Sequence, residues 1–342
     1  MPARRRGVSI EDVARAAGVS RQTVSNALRA PHRLRAETLE RVTALIEEMG
    51  YQPDQSASSL RSGTRRVLAY TTPETDPANP NALMSGFLEA LVSAAGAAGY
   101  RILLVRPRPG QEAVPALEEV IAARTADAFL LSDVVEGDAR VRFLSEVGFP
   151  FAVFGRTEPD LPQSWVDVDS VQAMIDLVGM LAGQGHRRVA FLGMSADLPW
   201  LRHRTEGFRT GVRRFSLVAH EATADGPEEV IDVARTLLER RPRPSALLLV
   251  DDWLAPGAYA AAQAEGLTVG VDLAITGFND MPYAQLLQPP LSSVRLPLRR
   301  LADALVSRLL QLIEEQVQPE AGLLLPAEPV IRASVPQGFE RS

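Results

Sequence analysis

A group of hydrogen-bonding side chains near the amino terminus has the composition and spacing needed to contact nucleic-acid bases. Residues 21–26 include arginine, glutamine, asparagine and two hydroxyl side chains, and none of them is acidic. Arginine can bond to O6 and N7 of guanine, and glutamine to N6 and N7 of adenine, in the major groove. The segment is therefore predicted to contact DNA. The residues expected to contribute, including two helix-capping serines, are Ser9, Ser20, Arg21, Gln22, Thr23, Ser25 and Asn26.

Two short helices are predicted to position these side chains as a helix-turn-helix. Ser9 and Asp12 form a capping-box pair, so the first helix begins at Ile10. Gly18 can adopt the left-handed conformation that ends this helix, and Ser20 caps the second. The alternative is a helical hairpin from another kind of small domain, whose polar face meets only solvent. The side chains predicted to face inward from the second helix are Val24, Ala27 and Leu28.

Charge is distributed unevenly along the chain. Residues 1–66 contain twelve arginines and seven acidic residues, a formal charge of +5, and since the whole chain carries −6 the rest carries −11. A basic segment joined to an acidic body is typical of a nucleic-acid-binding module attached to a different domain. The absence of cysteine excludes disulfides and thiolate metal sites. The sequence shows neither an export signal nor a membrane-spanning run, so we expect a cytoplasmic protein.

The 342 residues are enough for two or three domains. A third helix is predicted at 36–49, and the small polar residues at 54–63 favour a linker or a helix that forms only under some conditions. From residue 67, apolar strands alternate with amphipathic helices, which indicates parallel sheets and favours two open sheets over one barrel. The predicted strands are 67–71, 102–105, 128–131, 151–154, 189–192, 246–250 and 273–276.

The order of several motifs resembles that of the lactose repressor/galactose repressor (LacI/GalR) family, and the resemblance covers essentially the whole chain. Residues 10–25 match the opening pattern of the family. The other matches are the strand before the domain crossover (149–156), the glycine-histidine strand entry (185–192), the Arg-x-x-Gly-Phe helix (204–208) and two acidic ligand-pocket turns (250–252 and 277–280).

The resemblance implies a fold and an assembly. The fold is an all-α, three-helix helix-turn-helix head with a hinge helix, followed by an α/β core like that of periplasmic binding proteins, with two doubly wound parallel-sheet lobes. The protein is expected to be a homodimer on a near-palindromic operator in double-stranded DNA, each head binding one half-site. The predicted boundaries are 1–52 for the head, 53–66 for the hinge and linker, and 67–340 for the core, with a first lobe at 67–166 and 296–326 and a second at 167–295 and 327–340.

The hinge is the element that would connect a ligand to DNA affinity. Short isolated helices are marginal in water, so it is expected to fold only on DNA beside its partner. Leu60 aligns with the leucine of the family that wedges into the minor groove and kinks the duplex. Ala57 aligns with the small residue that lets two hinge helices approach each other.

Five positions depart from the family pattern. Asp54 and Ser58 replace the usual Asn and Arg of the hinge, and the loss of the arginine is expected to remove a DNA contact. Asn26 and Arg29 stand where Arg and Asn are common, so both are assigned to the DNA-contacting set and a non-standard operator is expected. Arg35 replaces the usual Ser before the third helix, whose start is therefore expected to be frayed.

The resemblance also implies a ligand cleft between the lobes. Carboxylates and amides can accept hydroxyl protons of a sugar, an arginine can donate, and aromatic faces can cover the apolar side of a ring. The alternative for each residue is structural, because acidic turns often cap the next helix and a lone tryptophan is often core. His186 and His203 are too isolated in the sequence to suggest metal binding or catalysis, and Asp169 is predicted to be a helix N-cap. The predicted effector-contacting residues are Asn81, Trp200, Arg204, Asp251, Asp252, Trp253, Phe278, Asn279 and Asp280.

These features predict a repressor whose operator affinity is controlled by a small polar metabolite, with a carbohydrate inducer preferred. A purine-type co-repressor is the first alternative, and a sugar-binding transport protein or an enzyme is the second. The motifs of dinucleotide, phosphate-loop, serine-hydrolase and zinc-protease sites are absent from the sequence. No catalytic residue, metal, cofactor or membrane partner is therefore predicted. No leucine-heptad segment follows Arg332, so assembly is expected to stop at the dimer.

Overall fold

The computed structural model describes residues 8–51, 64–72, 82–108, 110–157, 163–315 and 322–335. The chain divides into two compact units, Met1–Arg65 and Arg66–Ser342. Each unit has its own buried apolar core.

In the described part of the first unit there are three α-helices, α1 (Ile10–Ala17), α2 (Arg21–Arg29) and α3 (Ala36–Glu48). The predicted capping box is present, because the backbone N–H of Ser9 donates to Asp12 Oδ2 at 3.0 Å and that of Asp12 donates to Ser9 Oγ at 3.3 Å. Gly18 ends α1 in the left-handed conformation, with φ of 65°. Arg35 makes no side-chain capping bond at the start of α3, as its replacement of a serine predicts.

The core of this unit is small, and the prediction that Leu28 in the last turn of α2 faces inward is wrong. Val13, Val24 and Val42 are completely buried between the helices. Leu28, which was predicted to face inward, is 41% exposed. The apolar cluster of this unit includes Val24 and, partly buried, Ala27, the other two residues predicted to face inward, but not Leu28.

The second unit alternates strands and helices. Its strands are β1 (Val67–Thr71), β2 (Arg101–Val105), β3 (Ala128–Leu131), β4 (Phe151–Phe154), β5 (Ser164–Val168), β6 (Arg188–Gly193), β7 (Val218–Thr223), β8 (Ala246–Leu249), β9 (Ala274–Thr276), β10 (Ser293–Arg295), β11 (Leu323–Leu325) and β12 (Glu328–Val330). Its α-helices are α4 (Ala82–Ala97), α5 (Ala113–Ala122), α6 (Ala139–Glu146), α7 (Ser170–Gly183), α8 (Pro199–Arg214), α9 (Pro227–Leu238), α10 (Ala255–Ala264) and α11 (Leu298–Glu315).

Two parallel sheets form the centres of two lobes, as the predicted fold class requires. The first sheet has the order β11-β5-β4-β3-β1-β2 and the second has the order β7-β6-β8-β9. The chain leaves the first sheet after β5, returns to it through α11, and leaves again after β11 to pair β12 with β10 in antiparallel fashion. The proposed residue boundaries of the lobes remain predictions.

The sequence pattern missed β5, β7 and the three-residue strands β10, β11 and β12. Strand β7 lies at a sheet edge, and Val218 within it is 57% exposed. An edge strand has a neighbour on one side only and requires less apolar surface, so its hydrophobic signal is weak.

A close helix contact places the functional face of α8. A Cβ added at Gly207 would lie 2.5 Å from the backbone oxygen of Val171 and 2.8 Å from Cβ of Met174, both on α7. Only glycine allows this approach of the two helices without a shift. Arg204 lies one turn before Gly207 on α8, and this packing therefore fixes its position. Asp169 caps α7 as predicted, because its Oδ1 accepts from the backbone N–H of Gln172 at 3.0 Å.

Candidate functional sites

Helix α2 carries the predicted DNA-contacting residues on its surface. Ser20 begins the helix as predicted, since its Oγ accepts from the backbone N–H of Thr23 at 3.1 Å. Arg21 and Gln22 are exposed, while Thr23, Ser25 and Asn26 are partly exposed. The side chain of Arg29 and the predicted hinge contacts Ala57 and Leu60 lie outside the described residues.

The contacts made by this surface are weak enough to be exchanged for contacts with DNA. Nη1 of Arg21 lies 2.9 Å from Oε1 of Glu11, and both side chains are more than half exposed. An exposed ion pair of this kind contributes about 0–1 kcal/mol, whereas a bidentate contact with a base is worth about 1–3 kcal/mol. Nε2 of Gln22 donates to Oδ1 of Asn26 at 3.1 Å, as side chains four residues apart on a helix can.

A cavity of about 120 Å³ lies between the two lobes of the second unit, at the carboxyl ends of several strands. Parallel sheets bind ligands at this edge. The predicted residue Asn81 lies outside the described residues. The charged, amide and aromatic ring side chains in the wall include Asp133, Arg156 and Asp167 from the first lobe and Trp200, His203, Arg204, Asp251 and Asn279 from the second.

Arg204 is the central predicted residue of this wall and is almost completely buried. Its Nη1 donates to the backbone oxygen of Val250 at 2.7 Å, and its Nη2 donates to Oδ1 of Asn279 at 2.8 Å. The guanidinium lies 4.5 Å from the ring centre of Trp200 and 4.0 Å from that of Phe278. Cation–π contacts of this kind stabilise a desolvated guanidinium.

Asp251 provides the counter-charge for this arginine. Its Oδ2 lies 3.7 Å from Nη1 of Arg204 and accepts a hydrogen bond from Nδ2 of Asn279 at 2.7 Å. Burial raises the pKa of Asp251, and the charge of Arg204 opposes this shift. Burial also lowers the pKa of Arg204 to about 10, which still leaves the guanidinium charged at neutral pH. The wall therefore contains a compensated arginine–carboxylate–amide network.

Asp252 is not part of the cavity wall, although the sequence predicted it there. Its carboxylate is fully buried and accepts from the backbone N–H of Met281 and from Oγ of Ser293, each at 2.7 Å. Burial, followed by the charge of Asp251, raises its pKa to about 7. Asp252 therefore connects the segment after β8 to the segments after β9 and around β10, from behind the wall.

Three other predicted contacts also lie outside the wall. Phe278 is fully buried, and its ring packs against the guanidinium of Arg204. The backbone N–H of Trp253 donates to Oδ1 of Asp251 at 2.8 Å, so this residue orients a wall carboxylate. Asp280 pairs with Arg295 at 2.7 Å and with Arg332 at 2.6 Å. Its carboxylate is therefore bound to arginines at the end of β10 and just after β12. The carboxylate among the predicted residues that does reach the wall is Asp251.

Sequence reasoning missed a second charged group in the wall. Nε of Arg156, just after β4, donates to Oδ2 of Asp167 on β5 at 2.9 Å. Nη2 of Arg156 donates to Nδ1 of His203 on α8 at 3.2 Å, which places the proton of the neutral ring on Nε2. Burial, followed by the charge of Arg156, lowers the pKa of His203. His203 therefore joins the two lobes across the cleft, a contact that the sequence did not predict.

Asp133 was also missed, although its position after β3 could have indicated it. Asp251 was predicted because it follows a buried strand, and Asp133 follows β3 in the same way. Asp167 gave no such signal because β5 itself was not recognised. The surrounding protein partly desolvates the carboxyl group of Asp133 and so raises its pKa, although the residue keeps contact with solvent. The nearby charge of Arg140 opposes this shift.

Two other features, a metal site and a membrane-spanning helix, are absent from the part of the chain that the structure describes. Across the described ranges, no group of three or more histidine, aspartate or glutamate side chains could hold a metal ion. Within the same part of the chain, no helix combines the length and apolar character needed to cross a bilayer.

A helix-turn-helix head and a two-lobed core with a cleft together define a DNA-binding transcriptional regulator. Family models agree with both parts: residues 9–54 match the bacterial regulatory proteins of the lacI family, and residues 178–335 match the periplasmic binding protein-like domain.

Solved structures extend this similarity over the chain. A regulatory protein of the LacI family from Chloroflexus aggregans is 33% identical, with a TM-score of 0.75, and the match covers 79% of this chain and 98% of that one. The complex of the transcriptional regulator CelR with cellobiose gives 25% identity and a TM-score of 0.70, over 96% of this chain and 99% of that one. The Lac repressor dimer bound to operator and the anti-inducer ONPF gives 25% identity and 0.78, with the same coverage. The chain belongs to the LacI family of bacterial transcriptional regulators.

Proposed function

We propose that this regulator represses transcription as a cytoplasmic homodimer on a near-palindromic operator, and that an uncharged sugar bound in the cleft controls its affinity for DNA. The observation that carries the proposal is the cavity whose wall includes side chains of both lobes. A ligand that bonds to both lobes can favour one arrangement of them over another. The CelR complex with cellobiose and the Lac repressor dimer on its operator support the same arrangement in this chain.

The charges of the wall favour an uncharged ligand. Arg204 is compensated by Asp251 and Arg156 by Asp167. Asp133 adds a further carboxylate, for which the described residues provide no side-chain ion pair. A phosphorylated ligand would therefore bring negative charge towards three carboxylates without meeting an uncompensated cation. Sugar hydroxyls, in contrast, can donate to these carboxylates.

The proposed DNA contacts divide into two kinds. Arg21 and Gln22 extend from the exposed face of α2 and are proposed to contact base edges. The hydroxyls of Ser9, Ser20 and Thr23 surround the amino-terminal ends of α1 and α2, where helix N–H groups favour phosphate. Ser25, Asn26 and Arg29 complete the proposed set, and the hinge positions Ala57 and Leu60 remain predictions from the family resemblance.

The DNA part is tested with full-length protein and fluorescent DNA from upstream of its own locus. Arg21→Ala is expected to weaken specific binding by about 1–3 kcal/mol. Arg41→Ala removes the same charge from an exposed position on α3 and serves as the matched control. Affinity is expected to fall steeply with salt, because phosphate contacts release counterions. Equal effects of the two substitutions, or affinity independent of salt, would contradict the proposal.

The effector part is tested by a thermal-shift screen of sugars, sugar phosphates and nucleobases, followed by anisotropy measurements of operator affinity. Uncharged sugars are expected to stabilise the protein and to weaken its binding to DNA. A nucleobase that stabilises the protein and strengthens DNA binding would instead support the co-repressor alternative. Stabilisation by sugar phosphates alone would refute the charge argument.

A further inference from the structure

The first lobe contains a second cavity, called the first-lobe chamber below, whose wall includes Asp133. It measures about 270 Å³, and its polar wall includes Thr71, Thr72, Gln111 and Arg140. It lies at the carboxyl ends of β1, β2 and β3, where the strand order reverses between β1 and β3. Open parallel sheets bind ligands at such a reversal. Asp133 stands in the walls of both this first-lobe chamber and the cleft cavity.

The first-lobe chamber is not an anion site. Arg140 is held by Asp138, with Nε to Oδ1 at 3.0 Å and Nη2 to Oδ2 at 2.6 Å. Nη2 also donates to the backbone oxygens of Ser132 and Asp133. The two wall hydroxyls accept from arginines, Oγ1 of Thr71 from Nη1 of Arg140 at 3.3 Å and Oγ1 of Thr72 from Nε of Arg106 at 3.2 Å, so each keeps its proton to donate to a ligand. Because the guanidinium of Arg140 is already committed, these hydroxyl protons, the amide of Gln111 and the carboxylate of Asp133 are the groups that can meet a ligand. Such a wall suits a neutral group with several hydroxyls.

The backbone holds Asp133 at the junction in an unfavourable conformation. Its φ is 51°, in the left-handed region that residues other than glycine rarely adopt. Such a conformation costs of the order of 1–3 kcal/mol and is retained where the surrounding structure fixes it, often at ligand sites. The residue is exposed towards solvent, so its carboxylate is available to a ligand from either cavity.

The volumes indicate that the two cavities act together. Ligand pockets typically measure about 300–1,000 Å³, and the cleft cavity of about 120 Å³ is well below this range. The addition of the chamber of about 270 Å³ brings the combined space into the range. We infer that the effector is a saccharide of at least two rings, with one ring in the cleft, another in the first-lobe chamber, and Asp133 accepting hydroxyl hydrogen bonds between them. This inference rests on the proposed function that the effector is an uncharged sugar.

The test is calorimetric titration of the full-length protein with cellobiose, maltose, lactose and trehalose, compared with glucose and galactose. The tightest disaccharide is expected to bind at least about tenfold more tightly than its own monosaccharides, which corresponds to about 1.4 kcal/mol. A monosaccharide that binds as tightly as every disaccharide would overturn the inference but leave the proposed function intact. Binding of neither size of sugar would overturn both.

Two substitutions on α5 then locate the second ring. Ala113 lines the first-lobe chamber, so Ala113→Phe is expected to fill it and to reduce the affinity ratio between disaccharide and monosaccharide to about one. Ala122 is exposed on the same helix, so Ala122→Phe is the matched control and should leave the ratio unchanged. Asp133→Asn is expected to weaken disaccharide binding without loss of folding. A ratio unchanged by Ala113→Phe in folded protein would overturn the inference, and the wild-type ratio tests it even if that variant does not fold.

Discussion

Replacement of the buried Arg204 by methionine should be far more harmful than the same replacement of an exposed arginine on the same helix. Arg204→Met removes two charge-assisted hydrogen bonds, to Val250 and Asn279, and leaves Asp251 without its counter-charge. Hydrogen bonds to charged groups contribute about 1.5–3 kcal/mol each. Removal of one partner of a buried ion pair costs about 3–5 kcal/mol. Because these effects overlap, we expect the free energy of unfolding to fall by about 3–5 kcal/mol.

The control is Arg209→Met, five residues further along α8. Arg209 bonds to both carboxylate oxygens of Glu221 at 2.8–3.0 Å, but its side chain is 57% exposed. An exposed pair of this kind contributes about 0–1 kcal/mol. The assay is urea unfolding followed by tryptophan fluorescence, which reports the second unit alone because the three tryptophans of the chain all lie there.

A double variant separates the lost contacts from the uncompensated carboxylate. Asp251→Asn removes the charge that Arg204→Met leaves behind, so the double variant should lose less free energy of unfolding than the two single variants added together. The Arg204→Met penalty should also shrink as the pH falls. Without Arg204 the pKa of Asp251 rises further, and protonation in the folded state relieves the penalty. Equal costs for Arg204→Met and Arg209→Met, or strictly additive single effects, would refute this account of the wall.

Three further predictions concern helix packing, pH and capping. Gly207→Ala should lower the free energy of unfolding by about 1–3 kcal/mol, because the added Cβ would contact α7. Gly96→Ala, with open space around it, should raise the free energy of unfolding by up to about 1 kcal/mol. Urea unfolding compares the two variants, and similar effects would contradict the packing. Since burial raises the pKa of Asp252 from 3.8 to about 7, the folded state binds more protons than the unfolded state between these two pH values. The free energy of unfolding should therefore decline as the pH rises towards about 7. Urea unfolding at several pH values should show a flatter dependence on pH for Asp252→Asn than for the wild type. Identical slopes for the two proteins would contradict this account. Ser20→Ala should destabilise the head by about 1 kcal/mol in circular-dichroism melts while Ser25→Ala does not, and equal melts would argue against the cap.

The features that could be predicted from sequence are those that depend on nearby residues. The caps at Ser9, Ser20 and Asp169 each bond to a backbone N–H three residues away, so their chemistry is contained in a few consecutive letters. The alternation of apolar strands and amphipathic helices likewise indicated parallel sheets. Leu28 shows the limit of this local reasoning, because its helical spacing is correct but the folded head leaves it 41% exposed.

The residues of the cavity wall were predicted in part, and the errors of that prediction have a geometric cause. Asp251 and Asp252 are neighbours in sequence, yet one reaches the cavity wall and the other bonds to Met281 and Ser293 behind it. Residue types alone cannot distinguish these roles, because both are carboxylates that follow the same buried strand. The contacts of the two side chains depend on segments that lie about 30–50 residues away in the chain, both before and after them.

The sequence by itself determined the three helices of the head, the residues available for base contact and the class of the core, since these follow from capping, periodicity and charge over short distances. Only the tertiary structure brought Arg156, Asp167 and His203 together and placed Asp133 between two cavities. These groups come from the ends of different strands and from α8. The sheet order and the close packing of α7 on α8 decide which of them meet, and neither depends on residues that are adjacent in the chain.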